Sequence, residues 1–124
     1  MKKIKISKNL KHTWFIDLDG TILKHNGYIT DKGDKLLKGV KSFFKKIPKQ
    51  DLIIVTTSRD KKNSKKTINF LKKNKIKFNQ IIFNLPYGER ILINDIKPKN
   101  RLYTAKSVNL NRNSGLSNFK IILK

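Results

Sequence analysis

Residues 13–21 read TWFIDLDGT, from Thr13 to Thr21. The first six are β-branched, aromatic or aliphatic, with Asp17 the one charge, and Asp19-Gly20 follows as a turn, so the stretch predicts a buried central strand that stops on a pair of carboxylates. Working outward, TILKHNGYIT carries Asn26-Gly27 between short apolar flanks, a hairpin signal, and predicts a β-hairpin flap. Over residues 33–47 the apolar positions Leu36, Leu37, Val40, Phe43, Phe44 and Ile47 recur at helical spacing, and Pro48 ends that helix. LIIVT at 52–56 predicts a second buried strand. After it, TSRD offers Ser58 or Asp60 as cap for a helix over about 61–73, with Ile68 and Leu71 inward. Residues 80–83 and 91–94 predict two more short strands and 105–110 another; NRNSGLSN reads as loop, and the last residues carry no clear signal.

Strands alternating with helices imply a mainly parallel sheet with right-handed crossovers and helices on both faces, a three-layer α/β/α arrangement. Such sheets bind ligands at the carboxyl ends of their strands. The length, 124 residues, suits one domain, with a core over about 13–110 and a C-terminal tail over 111–124.

Thirty Lys+Arg against eight Asp+Glu give a net charge of +22. Only Arg59, Arg90, Arg101 and Arg112 are arginines; the lysines are spread along the chain beside abundant Asn and Ile, without the arginine forks or interleaved aromatics of nucleic-acid readers. Nucleic acid is therefore the lesser expectation, and a small anionic, phosphorylated ligand the greater. The absence of cysteine excludes disulfides, thiolate nucleophiles and cysteine-bound zinc. No apolar run of bilayer length and no signal-type stretch is present, so no membrane partner is expected and the cytoplasm is the expected compartment.

In so acid-poor a chain each carboxylate asks for a reason. The strand map puts Asp17 and Asp19 after the first strand, Thr57 and Ser58 after the second, and Asn94 and Asp95 after the last, all at one sheet edge. Three acids gathered there would repel unless a divalent cation neutralised them, and oxygen ligands without Cys or a His pair favour Mg²⁺ over zinc. One carboxylate can then serve as nucleophile and a second as acid and base, which suits phosphoryl transfer through an aspartyl-phosphate.

FIDLDGTI at 15–22 resembles the first motif, DxDGT, of the haloacid dehalogenase-like (HAD) phosphatase superfamily. The resemblance implies a single Rossmann-like domain and a Mg²⁺-dependent phosphomonoester hydrolase. Asp17 would attack phosphorus, and Asp19 would protonate the leaving group and then activate water. LIIVTTSR places Thr57 in the second motif as a donor to the phosphoryl group, with Ser58 as the lesser choice, and RILINDIKP offers Asp95 as magnesium ligand beside Asp17 and Asp19. Asn94 stands where a second acid is common, which would weaken metal binding. For the cation of the third motif Lys97 is favoured over Arg90, Lys75 and Lys77, Arg90 being expected at the far end of the last strand. Gly20, Thr21, Ser58, Arg59 and His25 complete the expected phosphate and substrate contacts.

The interval from Thr21 to Thr56 is used up by flap, helix and strand, which implies a capless form whose open site is closed by the flap or by a neighbouring subunit, so an oligomer is admitted. The segment 14–115, with HNG, LPYGERILINDIKP and NLNRNSG, also resembles small HAD proteins associated with bacterial capsule and surface-polysaccharide synthesis. That implies a sugar phosphate or similar metabolite as substrate. The alternatives are a nucleic-acid end phosphatase and a catalytically weak binding or regulatory module.

Overall fold

The computed structural model of the chain describes residues 1–30 and 32–124; Asp31, in the expected flap, lies outside the described residues. Three parallel strands form the central sheet in the order β2-β3-β4: β2 is Thr13–Asp17, β3 is Leu52–Thr56 and β4 is Gln80–Ile82. β1 (Lys2–Ile6) pairs in parallel with β7 (Phe119–Leu123), and β5 (Ile96–Lys97) with β6 (Leu102–Tyr103) forms a small antiparallel ribbon. The helices are α1 (Gly27–Thr30), α2 (Val40–Lys46) and α3 (Ser64–Lys73). The α/β class and mainly parallel pairing agree with the sequence, and no cap domain is present among the described residues. No helix there is long and apolar enough to cross a membrane.

Register fixes which side chains share a face. Trp14 lies opposite Ile53, Ile16 opposite Val55, and Val55 opposite Ile81, so these point the same way. They form the core with Val40, Phe43 and Phe44 of α2 and Leu71 of α3. Phe43 is its hub, meeting Trp14 edge-on at 6.0 Å and Phe119 of β7 at 5.0 Å between ring centroids. The alternate residues Phe15, Leu52 and Ile54 stay out of this cluster, and Phe15 is 57% exposed. β2 occupies one edge of the three-stranded sheet, paired only with β3.

Four segments differ from the expected map. The helix expected over 33–47 begins only at Val40: Leu36 bridges Leu23 and the Leu37 N–H bonds to the Ile22 carbonyl, so extended chain occupies the first part. Gly39 makes the change of direction, with φ 78° and Ser117 N 2.4 Å from where a Cβ would stand; only glycine fits. The flap is closed by the Leu23–Leu36 bridge, but at its tip Asn26 takes φ 58° and leads into the single turn of α1 instead of a two-residue hairpin. Residues 91–94 and 105–110 are not strands; from Tyr87 to Arg101 every residue is exposed. Their short apolar runs carry β propensity, but a strand needs a neighbour, and none lies beside them.

The C-terminal residues, set apart as a tail by sequence, enter the body: Leu116 is buried, and Phe119 and Ile121 pack on the core. The parallel match of KKIKI with FKIIL joins the chain's two ends. Helix α3 follows its sequence closely. Asp60 accepts from the Lys62 N–H at 2.9 Å at the start of the 3₁₀ turn Lys61–Asn63 that leads into it, and Leu71 is buried.

Asp51 is buried beneath β2 and β3, accepting from His12 N at 3.0 Å and Trp14 Nε1 at 2.9 Å, with His12 Nδ1 at 2.8 Å. Asp51→Ala would leave the buried indole N–H without its acceptor. We expect a loss of about 3 kcal/mol in a urea titration, with Asp51→Asn keeping part of it.

Candidate active site

The carboxyl ends of β2 and β3 meet in register, Asp17 opposite Thr56, which brings the loop 17–21 beside the loop 57–60. The first loop is tight: the N–H groups of Thr21, Ile22 and Leu23 all turn back to the Leu18 carbonyl. Gly20 has φ 89°, and Arg112 Cγ lies 3.2 Å from where its Cβ would be.

Asp17 projects from the strand end and receives one side-chain hydrogen bond, from Thr21 Oγ1 to Oδ2 at 3.1 Å. Its carboxyl titrates above the ordinary aspartate value. Desolvation is the largest cause, the Thr21 bond opposes it, the Asp19 charge adds to it, and Arg90 and a backbone contact oppose it in turn.

Asp19 is held from two sides. Thr57 Oγ1 donates to Oδ2 at 2.8 Å; Arg59 Nε and Nη2 lie 2.9 and 2.8 Å from Oδ1. Arg59 itself is only 4% exposed. Its guanidinium makes a two-pronged pair with Asp34 (2.9 and 2.7 Å), donates to Thr67 Oγ1 at 3.1 Å, and lies 3.9 Å from the centroid of the Tyr28 ring. Burial works against its charge most strongly, yet the bonds to Asp34 and Asp19 carry its pKa above the usual guanidinium value.

The expected site residues are therefore distributed unevenly. Asp17, Asp19, Gly20, Thr21, Thr57, Ser58 and Arg59 gather at the two loops. Thr57 is fully buried and its hydroxyl proton goes to Asp19, so it faces the acid; Arg59 is likewise turned inward. Ser58 is the half-buried hydroxyl beside them, with only long contacts of 3.5 Å to Pro86 O and Arg90 Nη2. His25 donates its backbone N–H to Asn113 Oδ1 at 2.8 Å, next to Gly20.

Among the third-motif candidates, Arg90 is the one at the site. It donates to Pro86 O and Gly88 O at 2.6 and 2.9 Å, and its charge is felt at Asp17. Lys77 donates to Lys49 O, below the amino end of β3, and Lys75 follows α3. Lys97 sits in β5, and Asp95 and Asn94 are exposed on the same excursion, with Thr104 Oγ1 bonded to the Asp95 carbonyl. The expectation of Asp95 beside Asp17 rested on a strand at 91–94 that this chain alone does not form.

The sequence reading missed Asp34, Tyr28, Arg112 and Asn113. The scarcity of acids, which singled out Asp17 and Asp19, was the available signal for Asp34. Arg112 and Asn113 come from a loop whose contact with Gly20, the Asn113 N–H donating to the Gly20 carbonyl at 2.9 Å, is purely tertiary.

These residues do not by themselves fit a magnesium ion. Among the described residues no three of His, Cys, Asp and Glu are grouped to hold a metal, and both Asp19 oxygens are already engaged.

Fold and acid pair together define a parallel α/β protein with two carboxylates at the carboxyl edge of its sheet, where such folds bind ligands. The chain belongs to the haloacid dehalogenase-like hydrolase family, whose model matches residues 14–115. No curated protein and no solved structure matches it.

Proposed function

We propose that the protein hydrolyses a phosphomonoester through an aspartyl-phosphate on Asp17. The observation that carries this is that Asp17 is exposed at the carboxyl end of β2 with one side-chain hydrogen bond, open to a ligand, while Asp19, two residues on, is fixed beside it by Thr57 and Arg59. An Asp17 oxygen bonds to phosphorus as the ester P–O bond breaks, and Asp19 supplies the proton to the departing oxygen. Water then attacks the phosphoryl-aspartate, gives its proton to Asp19, and releases Asp17 and inorganic phosphate. In this reading Arg90 with the neighbouring Ser58 hydroxyl, and Arg112, whose side chain passes Gly20, would meet the phosphoryl oxygens.

A sugar phosphate or similar small metabolite is the substrate class in this reading, supported by an open carboxyl edge with no cap domain among the described residues. Dependence on Mg²⁺ belongs to the same reading through the family; Asp17 would be one ligand, and another acid is needed. The net charge of +22 favours a second reading, an end phosphatase acting on oligonucleotides. Phosphate release from sugar phosphates, nucleotides and phosphorylated oligonucleotides, each with Mg²⁺ or EDTA, tests both. Turnover of the small esters with weak salt dependence supports the first, whereas steep salt dependence on oligonucleotides supports the second. Release from none of them removes both.

A further inference from the structure

The chain from Asn111 to Ser117 crosses both roots of the flap, which leaves the body after Gly20 and returns before Gly39. It is bonded at each. At the first root the Asn113 N–H donates to the Gly20 carbonyl at 2.9 Å, and Asn113 Oδ1 accepts from the His25 N–H at 2.8 Å. At the second the Leu116 N–H donates to the Lys38 carbonyl at 2.8 Å, with Gly115 packed on the Lys38 backbone and Ser117 on Gly39.

Asn113 suits the first of these contacts. Its φ of 64° is a conformation that asparagine tolerates better than most side chains, and there its N–H and its side-chain oxygen serve the two ends of the segment 20–25. The Ser114 N–H closes the turn by donating to the Asn111 carbonyl at 3.1 Å. Arg112 rides on that turn. Its Cγ stands 3.2 Å from where a Gly20 Cβ would be, it is exposed, and its guanidinium has no partner among the described residues.

The residue type carries the chemistry. Only four of the thirty cations are arginines, and three of those four surround the loop 17–21: Arg59 bonds Asp19, the charge of Arg90 reaches Asp17, and Arg112 lies against Gly20. Arginine differs from lysine in its planar fork of donors, which matches the oxygens of phosphate. The Arg59 fork is engaged by Asp19, Asp34 and Thr67, and Arg90 gives Nη1 to two carbonyls. The Arg112 fork is open.

We infer that Asn113 is a positioning residue for phosphate binding: by bonding Gly20 and His25 it fixes the turn 111–114 against the loop of the acid pair, and so keeps Arg112 where its guanidinium can take phosphate oxygens. Asn113 itself touches no ligand. The inference rests on the proposed function only for phosphate as the ligand.

Arg112→Gln and Asn113→Gly, separately and together, test this. Glycine adopts the φ of 64° without strain and removes Oδ1. Inorganic phosphate is titrated at fixed Mg²⁺ and salt and followed by amide NMR, which also reads the exchange rate of the His25 N–H. Arg112→Gln should weaken phosphate binding about tenfold, the loss of a charged hydrogen bond, with the His25 amide still protected. Asn113→Gly should weaken it by roughly three- to tenfold and also speed exchange at His25 by about tenfold. The double variant should bind no worse than Arg112→Gln alone, because Asn113 acts only through Arg112. Asn113→Asp keeps the acceptor and should keep the amide protected. Native affinity in Asn113→Gly, losses that add in the double variant, or a native protein that binds no phosphate overturns the inference. If esters are hydrolysed while Asn113→Gly binds as the native protein does, the positioning role falls and the hydrolase stands; phosphate bound in the expected pattern with none released from any ester removes the hydrolase and leaves the positioning role.

Discussion

Asp17→Asn is expected to lower phosphate release by on the order of 10⁴-fold or more while the protein melts no lower than the native form. The activity loss follows from removing the attacking oxygen: an amide cannot form the phosphoryl intermediate. The stability result follows from the direction of the Asp17 titration. Its carboxyl is raised in the folded state, chiefly by desolvation, so the folded protein holds that proton more tightly than the unfolded chain does. Above the folded pKa the ionised group costs stability, and below the unfolded value the cost is gone. A neutral asparagine avoids it. The variant should therefore melt slightly higher at neutral pH in EDTA, with the advantage shrinking as pH falls toward and below the ordinary aspartate value. Thermal melts across that range, beside phosphate assays, measure both; an active Asp17→Asn would end the aspartyl-phosphate reading.

The second large effect is expected at a residue outside the acid pair. Asp34→Ala should destabilise the protein by about 3 kcal/mol, because it takes from the buried Arg59 guanidinium the two-pronged partner at 2.7 and 2.9 Å. Asp19 would remain as its one carboxylate, and the guanidinium that braces it would be free to shift. Turnover should fall with little change in KM, since Asp34 positions Asp19 and does not face the substrate. Arg59→Lys should show the same kinetic signature, a point charge being unable to span Asp19, Asp34 and Thr67 together. Urea unfolding and steady-state kinetics of the two variants measure this. Unchanged turnover in both would show that Asp19 needs no brace.

Physical reasons separate what was legible from what was not. The strands at 13–17 and 52–56, the amphipathic helix ending in Lys73 and the acid pair after β2 are local patterns, each visible in a window of a few residues, because strand burial, helix periodicity and turns are local chemistry. From those windows the chain by itself determined its α/β class and the pair of acids at the end of β2. It also determined its family.

Tertiary structure alone decided the rest. Arg59 turns inward because Asp34 and Tyr28 reach it from the flap, and Arg90 sits at the site because Asn84 and Leu85 bond back to the loop after β3. The two chain ends pair as β1 and β7 although neither strand announces its partner. Residues 91–94 have the composition of a strand and are not one within a single chain. Whether an apolar segment becomes a strand depends on an edge within its reach, and sequence records the segment without recording the edge.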